Sequence, residues 1–139
     1  MTDWNELVKV GSVREENFSV EDIHTAIHIG SGSHRVLASP WMITFMERTA
    51  RLMLAEVLPA GYSSVGVLVN VRHLAPTPVG HKIRARAEVV SVDGSKVVFA
   101  VQARDGVELV GEGAHERVII DEARFLKRVT AKNTENQIG

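Results

Sequence analysis

The 139-residue chain contains no cysteine. Disulfides, thiolate metal sites and a cysteine nucleophile are therefore excluded. It has no apolar run long enough to span a bilayer and no compositionally biased tract. It lacks an excess of either charge: the formal net charge of -1 gives no electrostatic case for nucleic acid or an anionic membrane as partner. The opening segment MTDWNELVKVGS has no basic stretch followed by an apolar core, so it does not read as a signal peptide, and the cytoplasm is the expected compartment. What remains is an ordinary globular composition, long enough to bury a core, and the expectation is one domain over 1–139. A lead-in over about 1–12 and a frayed tail over about 130–139 would flank it.

One stretch organises the rest. From Ser39 to Leu58 the chain reads as a helix, with Ser39 placed to cap it, Pro40 at the first helical position and Pro59 and Gly61 closing it. Met42, Ile43, Met46, Ala50, Met53, Leu54 and Val57 form one apolar stripe, and Trp41, Phe45 and Leu52 widen it. Thr44, Arg48 and Arg51 occupy a narrow polar arc, so the helix must be wrapped on most sides. Glu47 falls at the edge of the main stripe, where an unpaired buried carboxylate is costly.

Beyond the helix the period becomes two. Val65, Val67, Val69, Val71 and His73 are expected on one face of a strand, with Gly66, Leu68, Asn70 and Arg72 on the other. Ala75 to Gly80, with two prolines, breaks that strand. Ile83, Ala85, Ala87 and Val89 alternate with polar residues, Asp93-Gly94 marks a hairpin, and Val97, Phe99 and Val101 face inward on the next strand. Asp105-Gly106 signals a turn before a last strand from about Val107 to Ile120, and a short charged segment follows Asp121. Glu15 to Val20 reads as a short strand, and His24 to Arg35 as a loop with a helical turn. Turn-linked strands with one apolar face imply an antiparallel meander, and the long helix is the element able to cover it. This is an α+β, hot-dog arrangement, whose open sheet edge would be removed by pairing with a second copy, so a homodimer at least is expected.

Three groups of residues can carry chemistry. His73 on the apolar strand face and Glu47 on the helix can meet and share protons around a carbonyl, or form a structural pair. Ser39 can cap the helix, or it can stand with a free N–H beside developing negative charge at the helix start. A backbone N–H near Gly66, where no side chain blocks approach, is a second oxyanion candidate. His24, His28 and His34, the Gly30-Ser31-Gly32-Ser33 run and the arginines at 72, 84, 86 and 117 read as loop and solvated face, with ligand phosphates an open role for the arginines.

The segments VLASPWMITFMERTA (36–50), SSVGVLVNVRHLAPTPVG (63–80) and VGEGAHERVII (110–120) give the chain a family likeness. It resembles the fluoroacetyl-CoA thioesterase family of hot-dog hydrolases and the wider set of small acyl-CoA thioesterases. The resemblance implies hydrolysis of a small acyl-CoA, with Ser39, Glu47 and His73 as the catalytic group and Gly66, Thr77 and Arg117 at the substrate. It implies no metal and no redox cofactor, CoA being part of the substrate. Where the fluoroacetyl-specific enzyme has threonine followed by glycine, this chain has Ser39-Pro40, and the acyl group is left open. A hot-dog hydratase or dehydratase and a non-catalytic acyl-CoA binding protein are the alternatives.

Overall fold

A five-stranded antiparallel sheet wraps one long helix. The computed structural model describes residues 2–134. In chain order the elements are α1 (Trp4–Leu7), β1 (Val13–Ser19), α2 (Ala26–Ile29), α3 (Ser39–Val57), β2 (Tyr62–His73), β3 (Lys82–Asp93), β4 (Lys96–Arg104), β5 (Leu109–Asp121) and α4 (Glu122–Ala131). The sheet order is β1-β3-β4-β5-β2. The meander holds for β3 to β5, but β2 lies beyond β5 instead of beside β3. The Ala75–Gly80 connection, whose two prolines lack N–H groups, ends β2 and carries the chain across to β3.

The inner face of the sheet follows the alternation read from sequence. Ile83, Ala85, Ala87 and Val89 of β3 and Val97, Phe99, Val101 and Ala103 of β4 are buried, and α3 packs on them with Met42, Phe45, Met46, Ala50, Met53 and Leu54. Phe45 stacks on Phe18 of β1 with ring centroids 4.3 Å apart. Each large apolar side chain removed from water here contributes about 1.5–3 kcal/mol, which makes this contact the main source of stability. Among the described residues no helix is long and apolar enough to cross a membrane.

Two expectations are corrected, and two segments gain detail. First, Ala38, not Ser39, is the N-cap, and it makes no side-chain capping bond; Ser39 is already helical. The Trp41 and Met42 N–H groups both reach the Ala38 carbonyl, and Pro40 has none to offer. Second, β2 does not keep one phase. Its pairing with β5 runs Gly66↔Arg117 and then Leu68↔Glu116, a β-bulge that leaves Val67 unmatched. The extra residue turns Gly66 to the same inner side as Val69, Val71 and His73, while Val67 is 54% exposed. Third, the lead-in is docked: Val8 is buried and Trp4 meets Tyr62 edge-on at 5.0 Å. Fourth, the segment after Asp121 is a helix, capped by the Asp121 carboxylate, which accepts from the Arg124 N–H. Helical structure continues to Thr134, and the remainder of the expected tail lies outside the described residues.

Candidate active site

The polar side chains near α3 fall into two groups. At its N-terminus, with Ala38 holding the cap, the Ser39 hydroxyl is free to turn toward the end of β2. There Ser39 Oγ lies 2.8 Å from His73 Nδ1. His73 Nε2 is buried and has no hydrogen-bond partner. Burial pushes the His73 pKa below its ordinary 6.5, and the Ala75 backbone opposes this without forming an aligned hydrogen bond to Nε2. Both residues line a cleft of about 360 Å³, walled by Ala26, Leu37, Leu74 and Pro76. A buried imidazole nitrogen left without a partner costs free energy unless a ligand or water meets it.

The second group lies eight residues further along α3, about 12 Å up the axis. Glu47 projects toward the bulged part of β2, its side chain 38% exposed, with Oε2 3.8 Å from Arg117 Nη1. A Cβ on Gly66 would stand 2.8 Å from that oxygen, so the absence of a side chain at 66 is what gives the carboxylate its place. Arg117, 5% exposed, donates from Nε to Ser64 Oγ at 2.8 Å and from Nη2 to the Ser64 carbonyl at 3.0 Å. Its Nη1 lies 3.2 Å from His115 Nε2, and His115 Nδ1 lies 2.8 Å from the Leu68 carbonyl. Burial pushes the Arg117 pKa down, with Glu47 opposing and Arg51 reinforcing that shift.

The structure thus joins Ser39 to His73 and gathers Gly66 and Arg117 around Glu47. It does not join Glu47 to His73: within one chain the two share no hydrogen bond or ion pair, because β2 runs opposite to α3 and carries His73 to the far end of the helix. Thr77 is fully buried and donates its hydroxyl to Asp105 Oδ2 at 3.1 Å, while its carbonyl accepts from the Leu37 N–H. In this chain it ties two loops together and presents no hydroxyl to the cleft. Arg117 leaves the solvated face expected for it, whereas Arg72 and Arg84 are exposed. His24 is a core residue, its ring edge-on to Trp41 at 4.5 Å and to Phe45 at 5.2 Å; His28 and His34 are exposed. The Gly30–Ser33 run begins with Gly30 in the left-handed conformation that closes α2.

His115 and Ser64 were not singled out by sequence reasoning. The signal for His115 was present: it shares parity with Arg117 and Ile119, so a strand face that ends apolar carries two polar residues inward.

Comparison with known proteins identifies the family and the fold. The profile of the fluoroacetyl-CoA-specific thioesterase family matches residues 20–123. The fluoroacetyl-CoA thioesterase of Streptantibioticus cattleyicolor is 36% identical over 97 residues, which is 70% of either chain. The solved structure of the fluoroacetyl-CoA thioesterase FlK superposes with a TM-score of 0.86 at 31% identity, covering 90% of this chain and 97% of that one. A hot-dog-like protein from Thermanaerovibrio acidaminovorans gives 0.87 at 30% identity, covering 94% and 97%. With the family profile spanning most of the chain and the hot-dog fold shared throughout, the protein belongs to the fluoroacetyl-CoA-specific thioesterase family.

Proposed function

We propose that the protein is an acyl-CoA thioesterase that hydrolyses a small acyl-CoA to the free acid and CoA. The observation that carries this reading is the buried, partnerless Nε2 of His73, held through Nδ1 by Ser39 at a helix N-terminus and beside an open cleft. Fluoroacetyl-CoA thioesterase variants solved with acetyl-CoA, and with fluoroacetate and CoA, support the substrate class. Glu47 supplies the carboxylate that attacks the thioester carbonyl or delivers water to it. His73 moves the proton to the departing thiolate, and the Ser39 hydroxyl, able to donate or accept, lets the imidazole alternate between its two neutral forms. Gly66 gives close backbone access, and Arg117 sets the charge beside Glu47. These steps use the protein's own side chains and backbone, CoA entering as part of the substrate.

Glu47 and His73 stand at different ends of α3, so the reading also proposes a homodimer. β2 is an edge strand whose Val67, Leu68 and Val69 are 54%, 40% and 41% exposed, an unpaired apolar edge that a second copy would cover. Two β2 strands paired antiparallel about that exposed middle bring the partner's His73 beside the Ser63–Gly66 end, where Glu47 lies.

Free-thiol release from a panel of acyl-CoAs tests the activity, short to long and including halogenated acetyl-CoA. Tight CoA-ester binding without thiol release would replace the enzyme by a binding protein. Mixing inactive Glu47→Ala and His73→Ala chains tests the shared site: mixed dimers each hold one intact site, so activity returns to about a quarter of wild type. Were each site built from one chain, the mixture would stay inactive.

A further inference from the structure

We propose that His115 is a positioning residue, fixing Arg117 and the β2 bulge together so that the Glu47 carboxylate is held over Gly66. The inference rests on the role given to Glu47 above. Its starting point is bonding logic. The Leu68 carbonyl can only accept, so the Nδ1 2.8 Å from it must carry the proton. In the neutral ring Nε2 is then a lone pair, and the group 3.2 Å away is the Arg117 Nη1, which can only donate. A neutral ring protonated on Nδ1 satisfies both contacts; an imidazolium would turn an N–H against the guanidinium.

The surroundings hold the ring in that form. His115 is 1% exposed and lies 6.3 Å from the Phe99 ring, nearly parallel to it. Burial pushes its pKa below 6.5, the Leu68 carbonyl opposes that, and Arg117 reinforces it; the carboxylates of Glu47 on α3 and, from the other face of β5, Glu116 pull the other way. One ring therefore bonds the residue next to the bulge and the guanidinium next to Glu47. Its Cε1 would lie 3.1 Å from a Cβ at Gly66, so it also walls the same space. Ser64 holds the other side of Arg117 through its hydroxyl and carbonyl. The guanidinium is clamped between two strands, and the carboxylate takes its place against it.

Two measurements test this. Nitrogen-15 NMR of the His115 imidazole is expected to show the Nδ1–H form at pH 7, and an Nε2–H or doubly protonated ring would overturn the proposal. His115→Asn can keep a donor for the Leu68 carbonyl, but its carbonyl oxygen is too short to take the place of Nε2 at Arg117. Its kcat should fall on the order of tenfold to a hundredfold with KM and melting temperature little changed. His115→Gln, whose carbonyl can reach Arg117, should recover part of the loss. An Asn variant with wild-type kcat, or one whose lost activity only tracks its unfolded fraction, would reduce His115 to packing. If the wild type releases no thiol from any ester, the thioesterase reading fails, while the NMR result still decides how His115 and Arg117 are arranged.

Discussion

The two ends of the α3 site differ in how completely their polar groups are satisfied. Around Glu47 every nitrogen of the Arg117 guanidinium has a protein neighbour, and the adjoining imidazole is bonded on both sides. At Ser39 one contact is made, and a buried nitrogen of His73 is left over. On the proposed mechanism the first end holds a charge still and the second receives the reacting atoms. A catalytic carboxylate gains from being preorganised. A proton-transfer imidazole needs an open valence where the reacting atoms arrive.

Substitutions at the two ends should therefore fail in different ways. The largest effect is expected from Glu47→Gln, which removes the proposed nucleophile or base: thiol release should drop on the order of a thousandfold. Near-normal turnover by that variant would remove Glu47 from the mechanism. Gly66→Ala comes next, since its Cβ would stand 2.8 Å from Glu47 Oε2. Displacing the carboxylate by an ångström should cost on the order of a hundredfold in kcat. A crystal structure of that variant with Glu47 unmoved and activity intact would show that the glycine is not what seats it.

Ser39→Ala should cost less, about tenfold in kcat, because His73 keeps its place at the cleft. Its stability is the sharper readout. With Ala38 at the cap, the change should stay within about 0.5 kcal/mol by urea unfolding. A loss of about 1 kcal/mol or more would show that the Ser39–His73 bond also holds the fold together.

The smallest effect is in pH. His73 and His115 both titrate below their ordinary 6.5 in the folded chain, chiefly through burial. The unfolded chain then takes up these protons first, so their contribution to stability is complete above 6.5 and drains away as pH falls below it toward the folded values. Asp105 extends the loss to lower pH: burial works against its charge, but the N–H groups of Glu108 and Val107 and the Thr77 hydroxyl outweigh it and hold its pKa below 3.8. Denaturation midpoints measured between pH 8 and 5 should decline on the acid side. A flat profile would mean that the imidazoles are not kept neutral by the fold.

Much of this was legible in the sequence because helix and strand periods are strong signals. The apolar stripe of α3 and the alternation from Ile83 to Val101 placed helix and sheet correctly, and the edge position of Glu47 marked it as a residue needing a partner. The helix start was off by one residue, since Ala38, Ser39 and Pro40 allow two cap positions and the pattern does not choose between them. The bulge was harder to see. Val65 to Val71 alternates on paper with or without an extra residue, and only the glycine inside the strand hinted at a break in phase. The missed α4 has an Asp cap, Phe125, Leu126 and Val129 on one side and basic residues in its last turns; its charge content hid that pattern.

The bulge at Val67 also has a consequence for how this strand tolerates change in length. It splices two phases into one β2, so that Ser64 and Gly66 answer to Glu47 while Val71 and His73 answer to the helix start. Deleting one residue near Val67, or inserting one opposite it in β5, would restore a regular ladder and turn one half of the strand inside out. A deletion and a compensating insertion within the same few residues should leave both halves in phase. Length changes in this part of the sheet are therefore coupled in pairs, as gears are, and single ones should be far more damaging than any single substitution outside the site.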